Sequence, residues 1–549
     1  MKTLFKHILY LLIPISVAFS SCYKDLSTYP IKDIKTASLD TAGIPKEITL
    51  GYQGVLKLSP KFSEEADAGK FKISWQFAKE AGADDIVWEE ISDKLDLEYK
   101  VTRPISSKAY ILNLILTDVE NDNLSYNWSW EVKVIPSIAS GIIVAETKDG
   151  STTDFSYIKN KNITDKYTGD DVVIRDILAD MPQGKIKSLV TKVWYSAFGL
   201  YWRPHTNCLW AITKDGQALR YDTKDFSLNG DSENDENIIF GKPDGLKFNY
   251  IFKTGPNLAA KTNMGLYMFG TQYETRFVLP NETLSQVEFS NDIVATTSIH
   301  STKTNMVWYD ETKNKFQSYF VNDDKVYVIG SYEAGSAIFD PNDLPGFQAV
   351  AAETNSDNSV ATFLLKDKSS GVFEIYQLNQ YRPAKRKWDN NIMDYIVVAP
   401  PVPAHAKAKF SIPAEGLSLL NNAVSVFFAK DKDENILFVA TKDALYSIVF
   451  GLGEQATVNA TPIYQCPSGE TITLSKLYIQ GQYNQQADGS GYKKLPWNMK
   501  GIILASKKDE KGIVRVIPFD KMRPGQLSTD KMIEYKDFGS ILDIITIGL

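Results

Sequence analysis

The residues best suited to hold a ligand are aromatic side chains in polar or basic loops. Trp202 and Arg203 lie together in the segment GLYWRPHT, Trp388 follows the basic run KRK, and Trp497 follows a proline. Flat rings stack on the apolar faces of sugars, while nearby polar groups bind hydroxyls and fix orientation. These positions predict contacts to an oligosaccharide or a peptide at Trp202, Arg203, Trp388 and Trp497. The alternative for each ring is packing beneath its own loop or between neighbouring sheets.

Hydrolytic chemistry finds little support in the residue types available. Nucleophilic catalysis needs a serine or cysteine beside a histidine, and beyond residue 21 the only histidines are His205, His300 and His405. The sequence contains no G-x-S-x-G elbow, no H-E-x-x-H pair, no C-x-x-C pair and no phosphate-binding P-loop. We therefore predict no catalytic residue and no enzyme activity. A glycosidase is the remaining enzymatic alternative, because that chemistry needs only two carboxylates and the chain has 67 acidic residues.

Two acidic loops have oxygen ligands of the kind that Ca²⁺ prefers. They are residues 231–235 (DSEND) and 431–435 (DKDEN). Neither continues into the glycine and bidentate glutamate of an EF-hand, so solvated loops are the simpler interpretation and no metal or cofactor is predicted. The net charge of −7 and the isoelectric point of about 5.4 give no basic face for a nucleic acid.

The N-terminus has the pattern of a lipoprotein signal. Lys2 and Lys6 precede an uncharged apolar run from Ile8 to Phe19, and two serines then precede Cys22. That run is too short to span a bilayer but suits a signal peptide. The pattern resembles a bacterial lipobox, which implies cleavage after residue 21 and acylation of Cys22. Several acyl chains anchor a protein durably to a membrane. A plain secretory signal is the alternative.

Residues 23–25 (YKD) resemble short surface-export signals of Gram-negative lipoproteins. We therefore expect an outer-membrane protein that is lipid-anchored and exposed at the cell surface, with the periplasmic leaflet as the alternative. Residues 22–36 form the predicted tether. Cys208 and Cys466 then remain as thiols, and we expect them to be unpaired rather than joined by a disulfide.

Residues 37–136 alternate in the manner of β-strands. Phe71, Ile73, Trp75 and Phe77 share one face of a first strand. A second strand repeats the pattern over 110–117 and a third over 128–134, and the polar run DVENDN at 118–123 separates them. Several strands in about 100 residues, with a buried-type tryptophan, predict an immunoglobulin-like sandwich.

Residues 137–549 repeat a different unit. Four apolar runs with small residues each close in Lys-Asp, at 141–150, 209–216, 436–444 and 502–509. A further strand follows three of these runs. Irregular repeats of this kind predict an all-β fold in which a β-propeller of about seven blades follows the sandwich. We interpret the apolar runs as inner strands, expect the segment 541–547 to complete the first blade, and expect a short helix at 171–181.

The first domain resembles the PKD-like domains of bacterial outer-membrane lipoproteins. The residues that carry the resemblance are ISWQF at 73–77, YILNL at 110–114, Thr117-Asp118 and WEVKV at 130–134. The resemblance implies an accessory lipoprotein that works beside a SusC/SusD-like nutrient importer. We therefore predict a non-catalytic surface protein that assists the capture of glycan or peptide. The alternatives are a purely structural subunit of the importer and a propeller-type polysaccharide-degrading enzyme.

Overall fold

The computed structural model describes residues 38–548, apart from several gaps. The gaps are 52–53, 63–69, 104–105, 107, 136–139, 165–166, 180, 182, 199–205, 224–225, 234–237, 255–256, 270–275, 279–292, 297–304, 321–324, 330–337, 358, 383, 432–433 and 481–494. The signal segment, Cys22 and the tether therefore lie outside the described residues. In the part that is described, no helix is long and apolar enough to cross a membrane.

The chain divides into two compact units. The larger contains Lys133–Leu549 together with Thr49–Gly54 and Lys100–Ser107, and the smaller is built mainly from Val55–Tyr99 and Lys108–Val132. The strands up to residue 135 are β1 (Leu39–Asp40), β2 (Glu47–Gly51), β3 (Val55–Leu58), β4 (Lys61–Phe62), β5 (Phe71–Ala78), β6 (Trp88–Ser92), β7 (Leu97–Lys100), β8 (Tyr110–Asp118) and β9 (Leu124–Ile135).

The main sheet of this N-terminal region has the strand order β2-β9-β8-β5-β6, and β1 with β4 and β3 with β7 form two small sheets. The predicted alternation is present, because Leu112, Leu114 and Leu116 are buried on one face of β8. Trp75 is fully buried and lies 5.5 Å from the ring of Trp130. The region is thus an antiparallel β-unit with an aromatic core.

The rest of the chain is also built almost entirely of strands. The strands between residues 141 and 278 are β10 (Gly141–Thr147), β11 (Asp154–Lys159), β12 (Val172–Ile174), β13 (Val190–Phe198), β14 (Thr206–Thr213), β15 (Ala218–Asp222), β16 (Leu228–Asp231), β17 (Phe248–Thr254), β18 (Asn257–Thr262), β19 (Gly265–Phe269) and β20 (Phe277–Val278). The strands between residues 294 and 411 are β21 (Val294–Thr296), β22 (Asn305–Asp310), β23 (Lys315–Phe320), β24 (Lys325–Val328), β25 (Phe347–Thr354), β26 (Val360–Asp367), β27 (Phe373–Asn379), β28 (Lys385–Asp389), β29 (Asp394–Ala399) and β30 (His405–Ser411).

The last part contains helix α1 (Ala414–Asn421) and the remaining strands. These are β31 (Ser425–Phe428), β32 (Ile436–Ala440), β33 (Ala444–Val449), β34 (Thr457–Val458), β35 (Tyr464–Gln465), β36 (Thr471–Leu477), β37 (Gly501–Lys508), β38 (Lys511–Pro518), β39 (Ile533–Phe538) and β40 (Ser540–Ile547). A single 3₁₀ turn (Thr529–Lys531) precedes β39.

Within the described chain, β28 and β29 pair with one another as a separate hairpin, and the other strands from β10 to β40 form seven antiparallel sheets. Their strand orders are β40-β10-β11-β12, β13-β14-β15-β16, β17-β18-β19-β20, β21-β22-β23-β24, β25-β26-β27-β30, β31-β32-β33-β34 and β36-β37-β38-β39, with β35 added to the sixth sheet beside β33. The first strand of each sheet contacts the first strand of the next, from β40 through β13, β17, β21, β25 and β31 to β36. The unit is therefore a β-propeller, and its seven sheets agree with the expected blade number.

The C-terminal strand closes the ring, as the sequence predicts. β40 pairs with β10 from Gly141 opposite Ile547 to Thr147 opposite Ser540. Its last residues are also tied to the second sheet, because the Tyr195 hydroxyl donates to the Gly548 carbonyl. The two ends of the propeller sequence thus share one sheet, and β40 covers the edge of β10 that would otherwise be open.

Two expectations about these strands are wrong. The apolar runs that end in Lys-Asp are β10, β14, β32 and β37, and each is the second strand of its sheet rather than the innermost one. A second strand has a neighbour on both edges and packed sheets on both faces, which explains why every residue of β10 is buried. The predicted helix at 171–181 is also absent, because Val172–Ile174 pairs with β11 and Asp176 has a positive φ of 53°.

Candidate functional site

The most exposed apolar feature of the described chain is a hairpin inserted into the fifth sheet. It consists of β28 and β29 and lies in the chain between β27 and β30. β27 and β30 pair directly with one another, from Glu374 opposite Ser411 to Asn379 opposite His405. The fifth sheet is therefore continuous without the hairpin, which is an addition to the blade rather than a part of it.

The register of the hairpin places aromatic and charged residues on defined faces. Trp388 lies opposite Tyr395, and Arg386 opposite Val397, so these four side chains share one face. The rings of Trp388 and Tyr395 are 5.1 Å apart at an interplanar angle of 74°, an edge-to-face pair. Lys387 lies opposite Ile396 on the other face.

Short-range hydrogen bonds define both ends of the hairpin. At its turn, the Asn391 N–H donates to the Asp389 carboxylate over 2.8 Å, and Met393 has a positive φ of 52°. At its base, Arg382 and Val402 exchange backbone hydrogen bonds of 2.9 and 2.8 Å. The ring of His405 lies 2.9 Å from the Asn379 side-chain nitrogen and 3.0 Å from the Pro403 carbonyl oxygen, so this histidine also fixes the base.

Most apolar side chains of the hairpin are open to solvent. The exposed fractions are 41% for Trp388, 60% for Ile392, 71% for Met393, 59% for Tyr395 and 57% for Val397. Ile396 and Val398 on β29 are exposed as well. Single exposed apolar residues are normal, but a contiguous group of seven on one projection is typical of an interaction surface.

The hairpin is also basic within an acidic protein. Arg382, Lys385, Arg386 and Lys387 are all exposed and precede the turn, whereas the only acidic residues between 382 and 399 are Asp389 and Asp394. The whole chain has a net charge of −7. This combination gives the hairpin a positive base, an apolar middle and a pair of carboxylates next to the turn.

A small polar cavity lies between the fifth and sixth sheets. Lys430 is 3% exposed and donates to Glu353 over 2.5 Å and to the Thr354 carbonyl oxygen over 3.2 Å. Glu353, Thr354 and Lys407 line the cavity, and burial lowers the pKa of Lys407. The volume of the cavity, about 30 Å³, is close to that of one water molecule in the liquid. The cavity therefore suits an internal water and is too small for a sugar ring.

A shallow groove of about 520 Å³ lies where the ring closes. Its lining includes Lys148, Glu510, Lys511 and Asp537. Lys148 is paired with Asp176 at 2.7 Å and Lys511 with Asp537 at 3.1 Å, so its charges neutralise one another. Phe538 also lines the groove, but its ring is buried beneath the Arg175 guanidinium, which lies 4.4 Å from the ring centroid. The groove therefore presents no open aromatic face and no field of one sign.

The structure separates the predicted binding residues. Trp388 is on the exposed hairpin, whereas Trp497 is 9% exposed and packs in the apolar cluster that contains Tyr478 and Ile503. Trp497 thus adopts the packed alternative that the sequence left open for each ring. Trp202 and Arg203 lie outside the described residues, as do Cys22 and the histidines at 205 and 300.

The acidic loops do not assemble a metal site in the described chain. Asp231 accepts from the Gln217 side chain over 2.6 Å, and Asp431 lies 4.0 Å from Lys500. Across the ranges that the structure describes, no three histidine, cysteine or acidic side chains are grouped so as to hold a metal ion. Residues 234–235 and 432–433 of these loops fall in the gaps.

Cys208 and Cys466 are both free and buried, in agreement with the expectation that they are unpaired. Cys208 belongs to β14 in the second sheet, and Cys466 follows β35 of the sixth. Burial raises the pKa of Cys208 to about 12 and that of Cys466 to about 11. Both thiols are therefore unsuited to nucleophilic chemistry at neutral pH.

The sequence indicated Trp388 but not the residues that surround it. Tyr395, Val397, Ile392 and Met393 complete the exposed surface, and no residue-type motif marks them. The available signal is the apolar run in IMDYIVVA, which directly follows the basic segment KRKWDNN. Such a run normally predicts a buried strand, so its exposure is visible only in the structure.

Comparison with known proteins identifies no family. No protein-family model and no curated protein matches the chain. Solved structures with some likeness include a quinoprotein alcohol dehydrogenase-like protein of Bacteroides thetaiotaomicron, with 12% identity, a TM-score of 0.39 and coverage of 93% of this chain and 98% of that one. Sqt1 of Chaetomium thermophilum, bound to the N-terminus of ribosomal protein L10, has 11% identity, a TM-score of 0.36 and coverage of 74% and 91%. Hsv2 of Kluyveromyces lactis has 10% identity, a TM-score of 0.32 and coverage of 72% and 99%. These values are low, and the description of the fold rests on strand pairing.

Proposed function

We propose that this protein is a non-catalytic lipoprotein of the outer-membrane surface that assists a SusC/SusD-like importer in capturing glycan or peptide. The observation that carries the proposal is the hairpin β28–β29, which presents apolar side chains to solvent on both faces. Exposed apolar area of this kind is costly in water and is stabilised when a partner covers it. Folding of the propeller gives no reason for an exposed apolar hairpin, whereas a binding role does.

The location and the partner in this proposal come from the sequence. The lipobox pattern at Cys22 supports anchoring to a membrane, and the PKD-like resemblance of residues 37–136 supports work beside an importer. The antiparallel unit around Trp75 is compatible with that resemblance. In this arrangement the lipid holds the protein at the membrane and the propeller presents the hairpin.

Capture of nutrient and contact with the importer make different demands on the hairpin. Capture of a sugar depends on Trp388 and Tyr395, the exposed aromatic pair in the described chain that lies among basic residues. Contact with a protein uses the whole apolar surface. The edge-to-face arrangement of the two rings favours the purely structural alternative, because stacking on a sugar is best served by one flat platform.

Affinity isolation from outer membranes tests the proposal. A tag belongs in the turn at Leu452, which is 94% exposed, rather than after β40, whose end is bonded to Tyr195. The resemblance implies an importer that consists of a TonB-dependent barrel and a hinged lipoprotein lid. We expect the barrel or the lid protein to be isolated together with the tagged protein. Isolation of neither from solubilised membranes would contradict the importer role.

A second measurement separates capture from a structural role. The purified protein is titrated with a panel of oligosaccharides and peptides, alongside the variant Trp388→Ala. Binding that the variant loses supports nutrient capture, whereas a silent panel with an intact importer complex supports the structural subunit. Turnover of any polysaccharide would favour the enzymatic alternative.

A further inference from the structure

We infer that the hairpin recognises its partner as a β-strand: an extended, acidic segment of another protein pairs with the free edge of β29. This inference rests on the proposed function, because it names the chemistry of the partner at the same surface. In the described residues β29 pairs only with β28, so one side of its backbone offers unused N–H and C=O groups. An open edge of this kind is a template for another strand.

The two edges of the hairpin differ in a way that selects β29. Folded proteins protect exposed edges with charges, lysine above all, and with proline. β28 begins with Lys385, Arg386 and Lys387 and has this protection. β29 has five uncharged residues in succession, from Tyr395 to Ala399, and prolines follow only after its end. The unprotected edge is therefore the one that is available for pairing.

Side chains on both faces of β29 would flank an added strand. Tyr395 and Val397 lie on one face and Ile396 on the other, and all three are exposed. Cross-strand pairs of aromatic and β-branched residues stabilise sheets. A partner segment that alternates apolar residues on the face of Tyr395 and Val397 would cover both, and the two-stranded hairpin, marginal by itself, would become a three-stranded sheet.

Charge argues for an acidic partner rather than a second copy of this chain. Residues 382–399 include four basic and two acidic side chains, so the hairpin has a net positive charge. Two hairpins placed edge to edge would therefore bring like charges together. A segment with acidic residues would be attracted to Arg386 and Lys387, which lie on β28 directly opposite Val397 and Ile396 of β29.

The same residues argue against a lipid surface. The apolar tip residues Ile392 and Met393 are flanked by Asp389 and Asp394, which are opposite one another at the end of the ladder. Insertion of the tip would carry two carboxylates into the bilayer, where ionised side chains are costly. A protein strand along β29 leaves both carboxylates in water.

Amide hydrogen exchange at single-residue resolution tests this inference on the full-length protein. The probe is a synthetic ten-residue peptide that alternates valine and glutamate, and its control alternates valine and lysine. Because successive N–H groups of a strand point to opposite edges, we expect the acidic peptide to slow exchange at alternate residues of β29, by at least about tenfold at saturation. The outward amides of β28 should not change.

Several outcomes would overturn the inference that an acidic strand pairs with β29. Uniform slowing over both strands, no slowing at all, or equal effects of the two peptides would each contradict edge pairing. So would binding of the hairpin to phosphatidylglycerol vesicles without any peptide effect, or a concentration-dependent dimer that protects β29. If the importer is isolated from membranes but the acidic peptide leaves β29 unprotected, the proposed function stands and this inference fails.

Discussion

Lys476 donates a hydrogen bond to the carboxylate of Asp543, and this contact joins the seventh sheet to the first. The same carboxylate accepts the backbone N–H of Val193 over 3.0 Å, in the first strand of the second sheet. One buried side chain, 2% exposed, thus connects three consecutive blades at the point where the ring closes.

The variant Asp543→Ala should destabilise the propeller strongly. It leaves the Val193 N–H without its acceptor, and the Lys476 ammonium group keeps the Ile544 carbonyl oxygen at 3.0 Å but loses the carboxylate. We expect a loss of about 3 kcal/mol in the free energy of unfolding. Asp543→Asn keeps one acceptor oxygen and should lose less. Denaturant titration measures both variants.

The matched control for that experiment is the pair Lys511–Asp537. Its atoms are 3.1 Å apart, yet both side chains are 70% exposed. Lys511→Met should therefore cost less than about 1 kcal/mol. Equal losses for the buried and the exposed pair would contradict the role of Asp543 in closure.

Gly539 marks a close approach at the same junction. A Cβ atom there would lie 2.3 Å from the Thr147 carbonyl oxygen, and the Gly539 N–H donates to the Glu146 carboxylate. Gly539→Ala should therefore cost about 1–3 kcal/mol, because backbone must shift to admit the methyl group. Gly43→Ala, with nothing within 4 Å of the added atom, is the control and should stay within about 0.5 kcal/mol of the parent. An unchanged free energy of unfolding for Gly539→Ala would contradict this prediction and show that the backbone around Thr147 shifts without cost.

The two buried thiols should be unreactive in the folded protein. Raising a thiol pKa from 9.0 to about 11 or 12 lowers the thiolate fraction roughly a hundredfold to a thousandfold near neutral pH. In protein with Cys22→Ser, a disulfide reagent should label neither Cys208 nor Cys466 rapidly, and both after denaturation. Fast labelling of either thiol in the native protein would be inconsistent with its burial.

Asp367 predicts a loss of stability in acid. Hydrogen bonds from the Ser369 hydroxyl and from the backbone N–H groups of Ser370 and Ser369 lower its pKa from 3.8 to about 2. Because the folded-state pKa is the lower one, this stabilisation is complete above pH 4 and is lost as the pH falls from about 4 through about 2. The difference in stability between the parent and Asp367→Asn should shrink over that range.

A second variant checks the cause of that pH dependence. Ser369→Ala removes the hydroxyl donor, which lies 2.6 Å from the Asp367 carboxylate, and leaves the backbone donors in place. Its pH dependence should be intermediate. Denaturation curves at several pH values measure all three proteins, and parallel pH profiles for parent and Asp367→Asn would refute the assignment.

The sequence predicts burial better than it predicts which strands are neighbours. The alternation in Tyr110–Leu116 predicts one buried face, and the apolar run at 541–547 predicts the strand that closes the propeller. Both patterns lie within a few consecutive residues, so the sequence alone shows them. The position of β10 as the second strand of its sheet depends on β40, about 400 residues away, so its continuous apolar run alone could not fix it.

The candidate site shows the same limit. Trp388 is recognisable because an aromatic residue follows a basic run, whereas the strand Tyr395–Ala399 has the composition of a core strand. Its exposure follows from direct pairing of β27 with β30, which excludes the hairpin from the blade. Helix α1 at 414–421 is too short to leave a distinct periodic pattern.

Photo-crosslinking from the hairpin in intact cells is the decisive test of contact between this protein and an importer. An aromatic photo-crosslinker replaces Tyr395, which is 59% exposed, and in a parallel strain replaces Met522, which is 87% exposed on a loop that follows β38. We expect a crosslink from position 395 to the barrel or the lid protein of an importer, and none to either from position 522. Importer crosslinks of equal yield at the two positions, or a product at 395 that contains only lipid or a second copy of this chain, would contradict it.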